Sequence, residues 1–216
     1  MNDPIVIVSA VRTPMGAFQG VFGSLTAPQL GAIAIKTAVE RAGISPELVE
    51  EVLFGCVLPA GLGQAPVRQA ALQAGLPLSA GCAMISKVCG SGMKATMVGH
   101  DGILAGSSAI TVVGGMESMT NAPYMLPKAR GGYRLGHGQL LDHMFFDGLE
   151  DSYSKETKGR LMGTFAEDCA SSYNFTREAQ DEFAIRSTTR AIDASNSGAF
   201  DWEIAPVTVS GKKGDV

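Results

Sequence analysis

The sequence predicts an α/β fold built on a parallel or mixed sheet. Short β-branched runs alternate with amphipathic stretches through the first 115 residues, the pattern of repeated βαβ units. Gly, Pro or Ser punctuates most of the joins. The composition agrees: 45% hydrophobic, 18% charged, 6% aromatic and 27 glycines in 216 residues suit tightly packed layers and argue against disorder.

Ile5-Val6-Ile7-Val8 is a continuous apolar run and reads as a strand buried on both faces. Arg12 to Gly20 is a Gly/Pro-punctuated loop. Thr26 to Ala42 carries apolar residues at 30, 33, 34 and 38, a helical stripe closed by Gly43. Ser45-Pro46-Glu47 predicts a short helix with a capping Ser and Pro at its first position. Val52 to Val57 is a second strand, Gln64 to Gln73 a helix and Cys82 to Ile85 a third strand. A helix is expected from Cys89 to about Ala105, then a fourth strand over Ala109 to Gly115.

The texture then changes. Residues 121–160 have weak periodicity, and a loop of that length in a compact domain is usually functional or an interface. Helices are predicted over Thr164 to Ser172 and from Thr176 to Gly198, with Thr176 as the cap. Trp202 to Val209 reads as a strand, and Ser210 to Val216 as turn residues.

Several function classes are disfavoured. Net charge is −4 with pI near 5.4, and no basic stripe interleaved with aromatics is present, so no nucleic-acid partner is expected. Cys56, Cys82, Cys89 and Cys169 form no C-x-x-C pair and no zinc-ligand spacing, so no metal is expected. Met1-Asn2-Asp3-Pro4 has no basic-then-apolar signal, and no apolar run approaches the roughly 18 residues of a spanning helix. The expectation is a cytoplasmic protein with reduced thiols and no membrane partner.

Cys89 stands in Ile85-Ser86-Lys87-Val88-Cys89-Gly90-Ser91-Gly92-Met93-Lys94-Ala95, where a strand runs through a turn into a helix. A thiol at a helix start meets unpaired N–H groups and the positive end of the dipole, which favour the nucleophilic thiolate. Glycines on either side would let a bulky carbonyl approach. From the residues alone a buried structural cysteine remains the other reading, since free Cys is often buried. Cys56 and Cys82 lie in apolar strand runs and read as inert core thiols; Cys169, beside Ala170 on a helix, reads as structural. Glu117, after a strand end in an apolar setting, reads as a carboxylate that hydrogen-bonds loop backbone near the site, a catalytic role being the other reading.

The ordered motifs Arg12-Thr13-Pro14-x-Gly16-x-Phe18-x-Gly20, Ala60-Gly61-Leu62-Gly63-Gln64-Ala65-Pro66-x-Arg68-Gln69-Ala70-Ala71, the Cys89 run and Gly114-Gly115-Met116-Glu117-Ser118-Met119 resemble the N-terminal half of a thiolase. Asp147-Gly148-Leu149 and Met162-Gly163-Thr164-x-Ala166-Glu167 extend the resemblance, and the Gly115 segment is most similar to the biosynthetic, acetoacetyl-CoA type. The resemblance implies a layered αβαβα fold, with residues 1–120 as the N-terminal half and 121–216 as an incomplete loop domain that binds coenzyme A. It implies acyl transfer through an acyl-Cys89 intermediate, either condensation of two acetyl-CoA or thiolysis of a 3-ketoacyl-CoA. The backbone N–H of Cys89 would help bind the oxyanion, and Leu149 and Met162 would lie along the pantetheine arm.

The resemblance further implies acyl-CoA and CoA as substrates with no permanently bound cofactor. It implies a homodimer or homotetramer, tetramers joining through a segment matching roughly residues 123–136. The Gly61-Leu62-Gly63 loop belongs to the subunit interface on this reading; it lacks the third glycine of a dinucleotide fingerprint and the Lys-Ser/Thr of a P-loop.

Some family features are missing. The Gly-His-Pro histidine, the second Gly-rich cysteine and the oxyanion Asn of the C-terminal half do not occur here, and Leu161 stands where many relatives have a histidine. Activity is therefore expected to need a C-terminal thiolase half; the alternative is a non-catalytic CoA-binding or assembly fragment. A cysteine amide hydrolase fits less well, because position 87 is Lys and no suitably placed His follows.

Overall fold

The computed structural model describes residues 4–211 and 214–216. The leader reading at Met1–Asp3 and the part of the closing turn at Lys212 and Lys213 lie outside the described residues.

Helix α1 (Ala27–Ala42) begins where its caps dictate. The Thr26 hydroxyl accepts from the Gln29 N–H, and the Gln29 side chain accepts from the Thr26 N–H at 2.8 Å, a reciprocal capping box. It ends at Gly43, whose φ of 68° is left-handed and cheap only without a side chain. The expected helix at Ser45 is a single 3-10 turn, Pro46–Leu48, and the Ser45 side chain makes no capping bond. Three residues leave too few orphan N–H groups to reward a cap.

Strand β1 (Glu51–Gly55), helix α2 (Pro66–Gln73), strand β2 (Gly81–Ile85), helix α3 (Ser91–Leu104) and strand β3 (Thr111–Gly115) follow in chain order. The sheet is parallel in the order β2-β1-β3, with Glu51 paired to both Gly81 and Thr111. The first crossover steps one way from β1, and the second steps back across it. Right-handed crossovers in opposite directions put their helices on opposite faces. Val52 and Phe54 accordingly join Ile35, Val39, Val67 and Ala70 under α1 and α2. Leu53 and Val113 meet α3 at Gly99, where an added Cβ would sit 2.5 Å from Val113 Cγ1. Each fully buried Val or Ile contributes about 1.5–3 kcal/mol.

Three expectations need correction. Ile5–Val8 joins no sheet, and Val6, Ile7 and Val8 are 65%, 82% and 66% exposed. The run lies across an apolar trough of about 530 Å³ from β3, the sheet's end strand, with Ala38, Ile103, Ile110 and Val112 in its walls. Its apolarity suits two-sided burial, but no strand among the described residues bonds to it. Trp202–Val209 forms turns and one parallel bridge, Arg12 to Ile204. There the Arg41 guanidinium takes the Trp202 and Ile204 carbonyls, and Arg12 pairs with Glu203 at 3.0 Å while lying over the Phe200 ring. Side chains thus satisfy the carbonyls that a neighbouring strand would otherwise use.

The third correction concerns the thiols. Cys169 is exposed and Cys82 only half-buried, against the expectation of buried structural cysteines. Helix α4 (Met162–Ser172), which carries Cys169, and helix α5 (Arg177–Asn196) bury no residue, and β2 is an edge strand with a largely exposed face. Cys56 is buried as expected.

The long loop contains structure of its own. Strands β4 (Tyr124–Met125) and β5 (Leu141–Asp142) pair antiparallel, and a π-helical turn spans Met144–Leu149. Thr176 caps α5 as expected, accepting from the Ala179 N–H at 3.1 Å. Strands β6 (Ser210–Gly211) and β7 (Gly214–Asp215) pair antiparallel. No helix of the described residues is long and apolar enough to cross a membrane.

Candidate active site

Reversal of the crossover direction at β1 opens a crevice at the carboxyl ends of the strands, the usual ligand position in such sheets. There, Gly55, Cys56 and Val57 after β1, Val88 and Cys89 after β2, and Gly115, Met116 and Glu117 after β3 line a cleft of about 360 Å³. Ser91 and Gly92 at the start of α3 complete it.

Glycine allows α3 to come this close. A Cβ on Gly55 would lie 2.7 Å from both Gly92 N and the Ser91 carbonyl carbon, and one on Gly115 would lie 3.7 Å from Gly92 Cα. The helix N-terminus, with its positive dipole end, is thereby seated on the ends of β1 and β3.

Helix α3 starts at Ser91 with Gly90 as its cap, so Cys89 stands just before the cap and not at the first helical position. The preceding turn is closed by its own backbone: the Gly90 N–H donates to Lys87 O at 3.0 Å and the Ser91 N–H to Val88 O at 3.1 Å. Cys89 is exposed, and the N–H groups of Cys89 and Gly92 make no hydrogen bond within the described residues. A thiol and free backbone donors therefore share one opening, the arrangement that acyl transfer requires.

Glu117 has the role its setting predicts. Its carboxylate accepts from the Val57 N–H at 2.7 Å, the Leu58 N–H at 3.2 Å and the Cys56 thiol at 3.5 Å. All three donors belong to the chain leaving β1, so one side chain holds that wall of the cleft. Burial pushes the Cys56 thiol up to about 12, and the Glu117 charge and hydrogen bond push the same way. Cys56 is a hydrogen-bond donor here. Burial also raises the Cys82 thiol, partly offset by the nearby Arg68.

Leu149 and Met162 do not line this cleft. Leu149 ends the π-helical turn, half-buried, and Met162 opens α4, 47% exposed. The turn nevertheless lies nearby: a Cβ on Gly148 would touch Leu58 at 3.4 Å. Arg160, just before α4, is engaged by Asp168 at 2.6 Å and stacked on Phe165.

Two residues escaped sequence reasoning. His143 is buried; its Nε2 accepts from the Ala60 N–H at 3.4 Å, so Nδ1 carries the proton that it donates to Asp147 at 2.6 Å. The i,i+4 spacing of His143 and Asp147 was the available signal. Ser91 is 5% exposed and bonded to the turn that bears Cys89. Its position two residues after the cysteine, at a helix start, was the corresponding clue. Among the described residues no cluster of three metal-capable side chains occurs.

The sequence that builds this cleft matches a known family. The thiolase N-terminal domain matches residues 5–216. The chain is 50% identical over its whole length to an acetyl-CoA acetyltransferase of Cupriavidus necator, covering 53% of that protein. It is 51% identical to an acetyl-CoA acetyltransferase of Candida albicans over 99% of this chain and 52% of that one. It is also 51% identical to acetyl-CoA acetyltransferase 2 of Arabidopsis thaliana, over 97% and 51%. This chain belongs to the thiolase family. It spans about half the length of the curated relatives it matches.

Proposed function

We propose that the chain is the nucleophile-bearing half of an acetyl-CoA acetyltransferase and works with a C-terminal thiolase half. The observation that carries this is the exposed Cys89 thiol beside free N–H groups at the strand ends, in a chain about half identical to enzymes of that name. In the proposed reaction the Cys89 sulfur attacks the thioester carbonyl of acetyl-CoA. A sulfur–carbon bond to Cys89 forms, the bond to the CoA sulfur breaks, and CoA leaves as the thiol. A second acetyl-CoA, deprotonated at its methyl, then attacks acyl-Cys89 to give acetoacetyl-CoA and release the cysteine; thiolysis is the reverse. The Cys89 N–H stabilises the tetrahedral oxyanions, a donor whose loss costs about 100- to 1,000-fold.

Chemistry at the cleft supports a base and an acid from outside these residues. Glu117 and Cys56 are the cleft's other titratable groups. Glu117 is committed to three donors, and Cys56 holds its proton far above neutrality. The open trough beside β3 and the uncovered α4 and α5 supply apolar surface for a C-terminal half. In this reading residues 1–120 are the nucleophile half and 121–216 the loop domain. Leu149 and Met162 meet the pantetheine arm of coenzyme A, and the assembly is a homo-oligomer in the cytoplasm.

The test joins the 216-residue chain with a C-terminal thiolase half and follows acetoacetyl-CoA thiolysis. Activity is expected only in the mixture and is expected to vanish with Cys89→Ala. Turnover by the chain alone, or by a Cys89→Ala mixture at the original rate, overturns the reading.

A further inference from the structure

The turn that bears Cys89 is strained at one residue and braced by another. Val88 has a φ of +46°, in the left-handed region that β-branched side chains rarely enter. Strain of this kind persists only where neighbouring groups hold it. The hydroxyl of Ser91 accepts from the Lys87 N–H at 2.8 Å and donates to the Val88 carbonyl at 2.6 Å. It therefore grips the backbone on both sides of the strained residue. Ser91 itself is buried, 5% exposed, and packs closely over Gly55.

We propose that Ser91 is a positioning residue for the nucleophile: its hydroxyl locks Val88 in the left-handed conformation and thereby aims the Cys89 thiol into the cleft. The inference rests on the reading of Cys89 as the reactive thiol and adds the residue that presents it. Without the hydroxyl, the Lys87 N–H loses its partner and Val88 relaxes to negative φ. Cys89 then turns away from the free N–H groups of the helix start. Val88→Gly removes the strain at its source, since glycine enters this region at little cost.

The experiment measures iodoacetamide labelling of each cysteine in the 216-residue chain by peptide mass spectrometry. Cys56, buried, serves as the report on folding. Ser91→Ala is expected to slow Cys89 labelling by at least about tenfold with Cys56 still protected, a factor in line with one strained residue's worth of conformational bias. Adding Val88→Gly to Ser91→Ala is expected to restore the rate to within roughly threefold of the unaltered chain, far inside that tenfold loss. If Ser91→Ala unfolds and exposes Cys56, the double variant decides, and a folded, fast-labelling double variant supports the proposal. A smaller slowing in a folded Ser91→Ala chain, or a double variant that stays slow, overturns it. Slow Cys89 labelling in the unaltered chain would instead remove the nucleophile reading on which the inference stands.

Discussion

Replacing Glu117 by Gln tests how much one carboxylate contributes to the cleft. Its oxygens receive three donors, the Val57 and Leu58 N–H groups and the Cys56 thiol. Glutamine keeps a single acceptor oxygen, which can stay with Val57. Its amide nitrogen then faces two donors, leaving the Leu58 N–H orphaned at about 1–3 kcal/mol. Converting the remaining charged hydrogen bond to a neutral one removes about 1 kcal/mol more. The expected destabilisation is about 2–4 kcal/mol. Urea unfolding measures it as a lower midpoint at unchanged slope. The Cys56 thiol should become easier to alkylate, because a nearby negative charge and an acceptor are both lost. A destabilisation below about 0.5 kcal/mol, the range of an ordinary surface change, would refute the claim that Glu117 anchors this wall.

Two further outcomes follow from the same region. Cys56 has an ordinary value of 9.0 that burial raises to about 12, so above the lower value the unfolded chain loses a proton that the folded chain keeps. Its contribution is whole below the lower pH and is lost as pH climbs toward the upper one. Relative to Cys56→Ala, the unaltered chain should lose up to about 1.4 kcal/mol per pH unit across that window, read by urea unfolding; parallel pH profiles would contradict it. Gly55→Ala should drive a methyl into the backbone at Gly92 and Ser91, costing about 1–3 kcal/mol and slowing Cys89 labelling, and an unchanged unfolding midpoint would show that α3 is not seated as described.

The legible parts of the sequence were those governed by neighbours a few residues away. Thr26 and Gly43 announce α1 because caps are local hydrogen bonds. The alternation of short apolar runs with amphipathic stretches announces the parallel sheet, and the anchoring role of Glu117 follows from the cost of a lone carboxylate in apolar company. Ile5–Val8 and Trp202–Val209 misled for the converse reason. A β-branched run states what burial it suits, but pairing depends on which strand reaches it, and Arg41 answers the second segment from over 160 residues away.

By itself, then, the sequence determined the α/β class, the caps of α1 and α5, the thiolase resemblance and Cys89 as the residue to watch. Tertiary structure alone decided that Cys56, Glu117 and the helix start of α3 converge on that cysteine, and that Val88 is held left-handed behind it. The division has a physical basis: propensities and caps act within a turn of chain, whereas a cleft is made where strand ends distant in sequence are packed side by side.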